Sequence, residues 1–97
     1  MTDRLYRRAK NPLAAEVHEE MVALDEVSGR TFGLNKTATW LWKLFEQPQT
    51  ISALKRGMLD EFADVDEATC EAEVRRVIHE LEAIGWIEPV RSNHLRN

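Results

Sequence analysis

The chain has 97 residues, 43% of them apolar, with 17 acidic and 13 basic side chains and a formal net charge of −4. That length builds one domain around a small core rather than two domains, and the acidic balance argues against a nucleic-acid partner, which needs a concentrated basic face. The single cysteine, Cys70, excludes an internal disulfide and any multi-cysteine metal site. No apolar run approaches the roughly 20 residues of a membrane span, and no signal-peptide pattern opens the sequence, so a cytoplasmic setting without a membrane partner is the expectation.

Residues 1–10 carry four basic residues and one acidic one. They read as a flexible basic arm, in which Leu5 and Tyr6 are able to start a short strand. The folded domain is expected over residues 11–91, followed by a frayed tail at 92–97. After the Asn11-Pro12 turn signal, Leu13 to Leu24 reads as one long strand. Its alternation slips near Glu19, which suggests a bulge or an exposed end there. Ser28-Gly29 then marks a hairpin turn. Arg30-Thr31-Phe32-Gly33-Leu34 alternates as a second strand, with Phe32 and Leu34 on one face.

Asn35 follows at once and suits a helix N-cap, since its side-chain oxygen accepts an orphan N–H of the first turn. The helix after it places Ala38, Leu41, Trp42 and Phe45 on one face, with Trp40 pointing elsewhere. Pro48 closes the connector. Thr50 caps a second helix to about Phe62, with Ile51, Leu54, Met58 and Phe62 as its stripe. Asp66 caps the third and longest helix, whose apolar stripe is Cys70, Val74, Val77, Ile78, Leu81 and Ile84. Gly85 ends it in the left-handed conformation that glycine tolerates best. Trp86 and Ile87 fold back or form a short strand. The order predicts an α+β domain of winged helix-turn-helix type, with an N-terminal antiparallel hairpin or three-stranded sheet packed on three helices.

No catalytic constellation emerges. His18, His79 and His94 are scattered and pair with no second ligand at helical spacing. Cys70 falls on an apolar stripe among acidic residues, which suits a buried thiol better than a nucleophile. The glycines make no phosphate loop. The chain is therefore expected to be no enzyme and to need neither metal nor cofactor. A winged-helix order leaves a DNA-binding regulator as the alternative. Between Asp66 and Ile84, however, six acidic residues face two basic ones, and a helix so charged is repelled by phosphates. A peptide-binding protein is the stronger expectation. If Arg30–Leu34 lies at a sheet edge, its free backbone groups are a template for an added strand, unless the N-terminal arm or Trp86-Ile87 covers it.

The run Ser28-Gly29-Arg30-Thr31-Phe32-Gly33-Leu34-Asn35-Lys36-Thr37-Ala38, followed by Leu41-Trp42 and by Leu81 … Gly85-Trp86-Ile87, resembles the PqqD family over roughly Val17 to Val90. Trp86 stands where a smaller aliphatic residue is usual. The family comprises leader-peptide recognition proteins of ribosomally made, modified peptides. The resemblance implies a non-catalytic domain that takes a precursor's leader as an added strand and presents it to a modifying enzyme. That enzyme would be a leader peptidase and cyclase in lasso-peptide synthesis, or a radical enzyme in pyrroloquinoline quinone synthesis; the Ser28–Asn35 run is more similar to the lasso type. Carried onto this sequence, Arg30, Thr31, Phe32, Gly33 and Leu34 are the pairing strand. Val74, Val77 and Ile78 are candidates for the groove floor, with Arg75 and Arg76 placed to attract an acidic leader. A monomer or weak dimer is expected.

Overall fold

A computed structural model describes residues 3–90. The strands are β1 (Leu5–Arg8), β2 (Leu13–Val17), β3 (Glu20–Leu24), β4 (Thr31–Leu34), β5 (Gln49–Thr50) and β6 (Ile87–Pro89). The helices are α1 (Lys36–Leu44), α2 (Ile51–Glu61) and α3 (Glu67–Ala83). Two antiparallel three-stranded sheets result, in the orders β5-β1-β6 and β2-β3-β4. This is the expected α+β arrangement of a sheet on three helices, with a second small sheet added.

Two expectations about the front of the chain need correction. Residues 3–10 do not form a free arm. Leu5–Arg8 is the central strand of the second sheet, pairing Tyr6 with Gln49 on one side and with Pro89 on the other, and Tyr6 is buried. The packed unit thus begins before residue 11; the tail expected at 92–97 lies outside the described residues. Likewise, Leu13 to Leu24 is not one strand. It is a hairpin whose two-residue turn, His18-Glu19, holds both residues at positive φ (53° and 68°). A turn with two positive φ values matches the right-handed twist of the strands it joins, and usually recruits Asn or Gly for the purpose.

The helices start where the sequence caps them. The side chain of Asn35 accepts from Ala38 N–H at 2.8 Å, that of Thr50 from Ala53 N–H at 3.1 Å, and that of Asp66 from Thr69 N–H at 2.7 Å. α3 ends in a Schellman motif around Gly85, at φ 81°. Trp86 N–H donates to Leu81 O at 2.9 Å and Gly85 N–H to Glu82 O at 3.0 Å. This reversal delivers Trp86 into the core and aims β6 at β1.

The core joins one face of β3 and β4 to all three helices. Met21, Ala23 and Leu34 meet Ala38, Leu41, Trp42 and Phe45 of the α1 segment; Leu54 and Met58 come from α2, and Cys70, Val74, Val77, Ile78 and Leu81 from α3. Burial, and then the nearby Asp66 and Glu67 charges, push the Cys70 thiol above its ordinary range, which suits a structural thiol. Trp40 is half-buried, its ring set edge-on to Phe62 at 5.3 Å. A Cβ added at Gly57 would come within 3.3 Å of that ring, so the helix-weakening glycine in α2 makes room for it.

One buried hydroxyl locks α1 to the sheet. Thr39, 1% exposed, accepts from Met21 N–H at 3.0 Å and donates to Leu34 O at 3.1 Å, bridging the last rung between β3 and β4. Thr39→Val keeps the shape but leaves that buried N–H without its acceptor. The expected cost is about 2–4 kcal/mol of unfolding free energy, since each orphaned buried group costs about 1–3 kcal/mol; Thr39→Ser recovers most of it. Urea titration checks both.

Candidate functional site

The candidate site is the outer edge of β4, and its geometry follows from register. Asp25 N–H donates to Arg30 O at 2.8 Å. Along the same ladder Ala23 faces Phe32 and Met21 faces Leu34. Hydrogen-bonded pairs alternate in an antiparallel ladder, so the backbone groups of Phe32 and Leu34 point at β3. Those of Thr31 and Gly33 point the other way, off the sheet. β4 is terminal in its sheet, because β6 pairs with β1 instead. Among the described residues, neither the N-terminal segment nor Trp86-Ile87 adds a strand over this edge.

Beside that edge runs a groove of about 280 Å³ between β4 and the C-terminal half of α3. Phe32, Gly33 and Leu34 form one wall; His79, Glu80, Ala83 and Ile84 form the other, with Leu81 beneath. Apart from His79 and Glu80 the side chains that line it are apolar. Phe32 is propped from the core by Trp86, edge-on at 6.0 Å, and Trp86 packs in turn on Trp42 at 5.3 Å. The groove wall therefore inherits its rigidity from the largest side chains of the core. A larger depression of about 390 Å³ lies between β1, α2 and α3. Its walls are mixed, with Tyr6 and Ile51 beside charged side chains, and the Lys55 ammonium there is taken by Glu67 and Glu71 at 3.1 and 3.3 Å.

The residues expected at the site divide sharply. Thr31, Phe32, Gly33 and Leu34 form the edge strand, and Arg30 precedes it with its guanidinium over the Phe32 ring at 5.8 Å. Val74, Val77 and Ile78 do not form the groove floor; they are 0%, 1% and 4% exposed and belong to the core. The buried stripe of α3 is turned inward, and the groove is made by the flanking positions Glu80, Ala83 and Ile84, one turn further on. Arg75 is not in the groove either. It pairs with Glu71 at 3.0 Å beside the larger depression. Arg76 is held by Glu73 and Glu80, so its charge is compensated within α3. Ile84 already stood at the end of the apolar stripe read from the sequence, and the signal for Ala83 was its place beside that stripe, where positions form its boundary.

Among the described residues, no helix is long and apolar enough to cross a membrane. No curated protein matches the chain. Among solved structures, the one described as "TbiB1 in Complex with the TbiA(beta) Leader Peptide" superimposes with a TM-score of 0.72 at 22% identity, covering 89% of this chain and 99% of that one. At that identity the match speaks for the fold. The family model described as "Coenzyme PQQ synthesis protein D (PqqD)" matches residues 20–87. That span runs from β3 through the edge strand, the three helices and the start of β6, well over half of the sequence: the chain belongs to the PqqD family.

Proposed function

We propose that this protein binds the leader segment of a precursor peptide as a strand added to β4 and presents it to a modifying enzyme, without chemistry of its own. One observation carries the reading. The free donors and acceptors of Thr31 and Gly33 lie directly beside an apolar groove. Backbone pairing supplies affinity that tolerates varied sequence, and the groove reads alternate side chains. β2 is also an edge, but all five of its residues are exposed. The structural relative TbiB1, which shares the fold at 22% identity, is described in complex with a leader peptide. The Ser28–Asn35 run, more similar to lasso-type members, favours a leader peptidase and cyclase as the enzymes served, in the cytoplasm.

The test is fluorescence anisotropy with the leader of the precursor encoded beside this gene. Ile84→Asp places a charge on the apolar wall at a partly exposed position. Leader affinity is expected to fall roughly tenfold or more, as for a central apolar contact, with the thermal midpoint lowered, because Ile84 also packs against the core, but the protein still folded at the assay temperature. Unaltered affinity in a folded Ile84→Asp protein would remove the groove from the account.

A further inference from the structure

The sheet β2-β3-β4 has a second free edge among the described residues. The two-residue turn makes Val17 and Glu20 a hydrogen-bonded pair, so Leu13, Ala15 and Val17 direct their backbone groups at β3. Ala14 and Glu16 therefore present theirs outward. All five residues of β2 are exposed. Edge strands are ordinarily protected by charged side chains, proline or a bulge; Leu13–Val17 has neither proline nor bulge, and its one charge, Glu16, is neutralised by Lys43. Its outer face is apolar as well: Leu13 is 62% exposed, Val17 55%, and Val22 across the ladder 49%.

We infer that β2 pairs with β2 of a second copy, antiparallel about a two-fold axis through Ala15, making one sheet of six strands. The register is dictated by the strand. The outward groups sit on Ala14 and Glu16, so Ala14 exchanges hydrogen bonds with the partner's Glu16, and Glu16 with the partner's Ala14. Sliding the pair one way sets two Glu16 side chains opposite each other; sliding it the other way brings in Pro12, which has no N–H to give. In the centred register Ala15 meets its own copy and Leu13 meets the partner's Val17. These are the positions without hydrogen bonds, where facing side chains stand closest. Charges agree too. The register sets the N-terminal end of β2, which follows Lys10, beside the partner's acidic turn at Glu19 and Glu20, while Glu16 is already compensated by Lys43 at 2.7 Å.

A seam of five residues falls well short of the roughly 800 Å² per partner of a stable complex, so the dimer is weak, with a Kd on the order of 10⁻⁴ M. Its consequence is bivalence: the two β4 edges lie at opposite ends of the joined sheet. The inference stands on β2 alone and holds whether or not β4 takes a leader.

Sedimentation equilibrium from roughly 10 μM to 1 mM, a range that brackets such a Kd, tests it. The wild-type chain is expected to pass from monomer to dimer across that range. Ala15→Glu and Ala15→Lys each place like charges face to face on the axis and remain monomeric, while their equimolar mixture dimerises. Ala14→Pro removes an outward donor without touching the ladder to β3, and also stays monomeric. Thermal midpoints close to wild type show that these exposed substitutions leave the fold intact. A wild-type chain still monomeric at the top of the range would overturn the inference, as would a dimer indifferent to charge at position 15 or a mixture that stays monomeric.

Discussion

Trp42→Ala is expected to cost about 3–5 kcal/mol of unfolding free energy, the range for truncating a buried tryptophan. For a domain of this size that is much of the total, since small domains carry only about 5–15 kcal/mol. Trp42 is 4% exposed and connects α1 to β1 and to the segment after α3. Its ring packs on Trp86 at 5.3 Å and on Phe45 at 6.5 Å. The Arg8 guanidinium lies over it at 4.1 Å and donates to Trp42 O at 3.0 Å. Burial lowers the pKa of that guanidinium, partly offset by Glu46. Truncation thus opens a cavity and also strips Arg8 of the ring that covers it, which frees β1 from α1. Phe32 feels the loss through Trp86, so surviving protein is expected to bind leader more weakly. Denaturant titration followed by circular dichroism measures the first effect. A midpoint equal to wild type would place Trp42 outside the core.

Thr31→Pro and Gly33→Pro are each expected to weaken leader binding roughly 10–100-fold, and together to remove it. Each deletes one outward N–H and leaves a peptide carbonyl without its donor, at about 1–3 kcal/mol. The fold is expected to survive both. Neither N–H serves the ladder to β3, and a Cβ at Gly33 meets nothing within 4 Å. Proline also favours an extended residue before it, which Arg30 and Phe32 already satisfy or accommodate. Phe32→Pro is the contrasting case. Its N–H points at Ala23 across the ladder, so this substitution is expected to unfold β4 rather than merely block it. A leader that binds the doubly substituted, folded protein as tightly as wild type would refute strand addition at this edge.

Much of the fold was legible because its signals are local. Asn35, Thr50 and Asp66 are caps, Gly85 is a left-handed stop, and the stripe from Cys70 to Leu81 is buried as its spacing indicates. The hairpin of β3 and β4 was announced by Ser28-Gly29. β1 was legible only as a strand that Leu5 and Tyr6 were able to start; its central place in a sheet was not, because its partners lie at Thr50, Gln49 and Ile87–Pro89 and only Tyr6 of its four residues is buried. The turn at His18-Glu19 was hidden for a different reason. A two-residue turn moves the outer face from odd positions in β2 to even positions in β3, the same phase slip that a bulge produces. No Asn or Gly marked it. At the site, the edge strand was legible and the groove wall was displaced. Periodicity selects the most buried stripe of α3, whereas the groove is built by the exposed His79, Glu80 and Ala83 beside it and by the half-buried Ile84 at its end. Thr39 gave no signal, because a hydroxyl that bridges two strands is indistinguishable in sequence from one facing solvent.

The most direct measurement is amide chemical-shift mapping during titration with the leader peptide. Strand addition at β4 predicts shifts concentrated at Thr31–Leu34 and along Glu80–Ile84. Newly slowed hydrogen exchange is expected at Thr31 and Gly33, whose N–H groups become bonded, and not at Phe32, whose N–H already is. Shifts confined to β2 or to the basic N-terminal strand, or a DNA duplex that displaces the peptide, would contradict it.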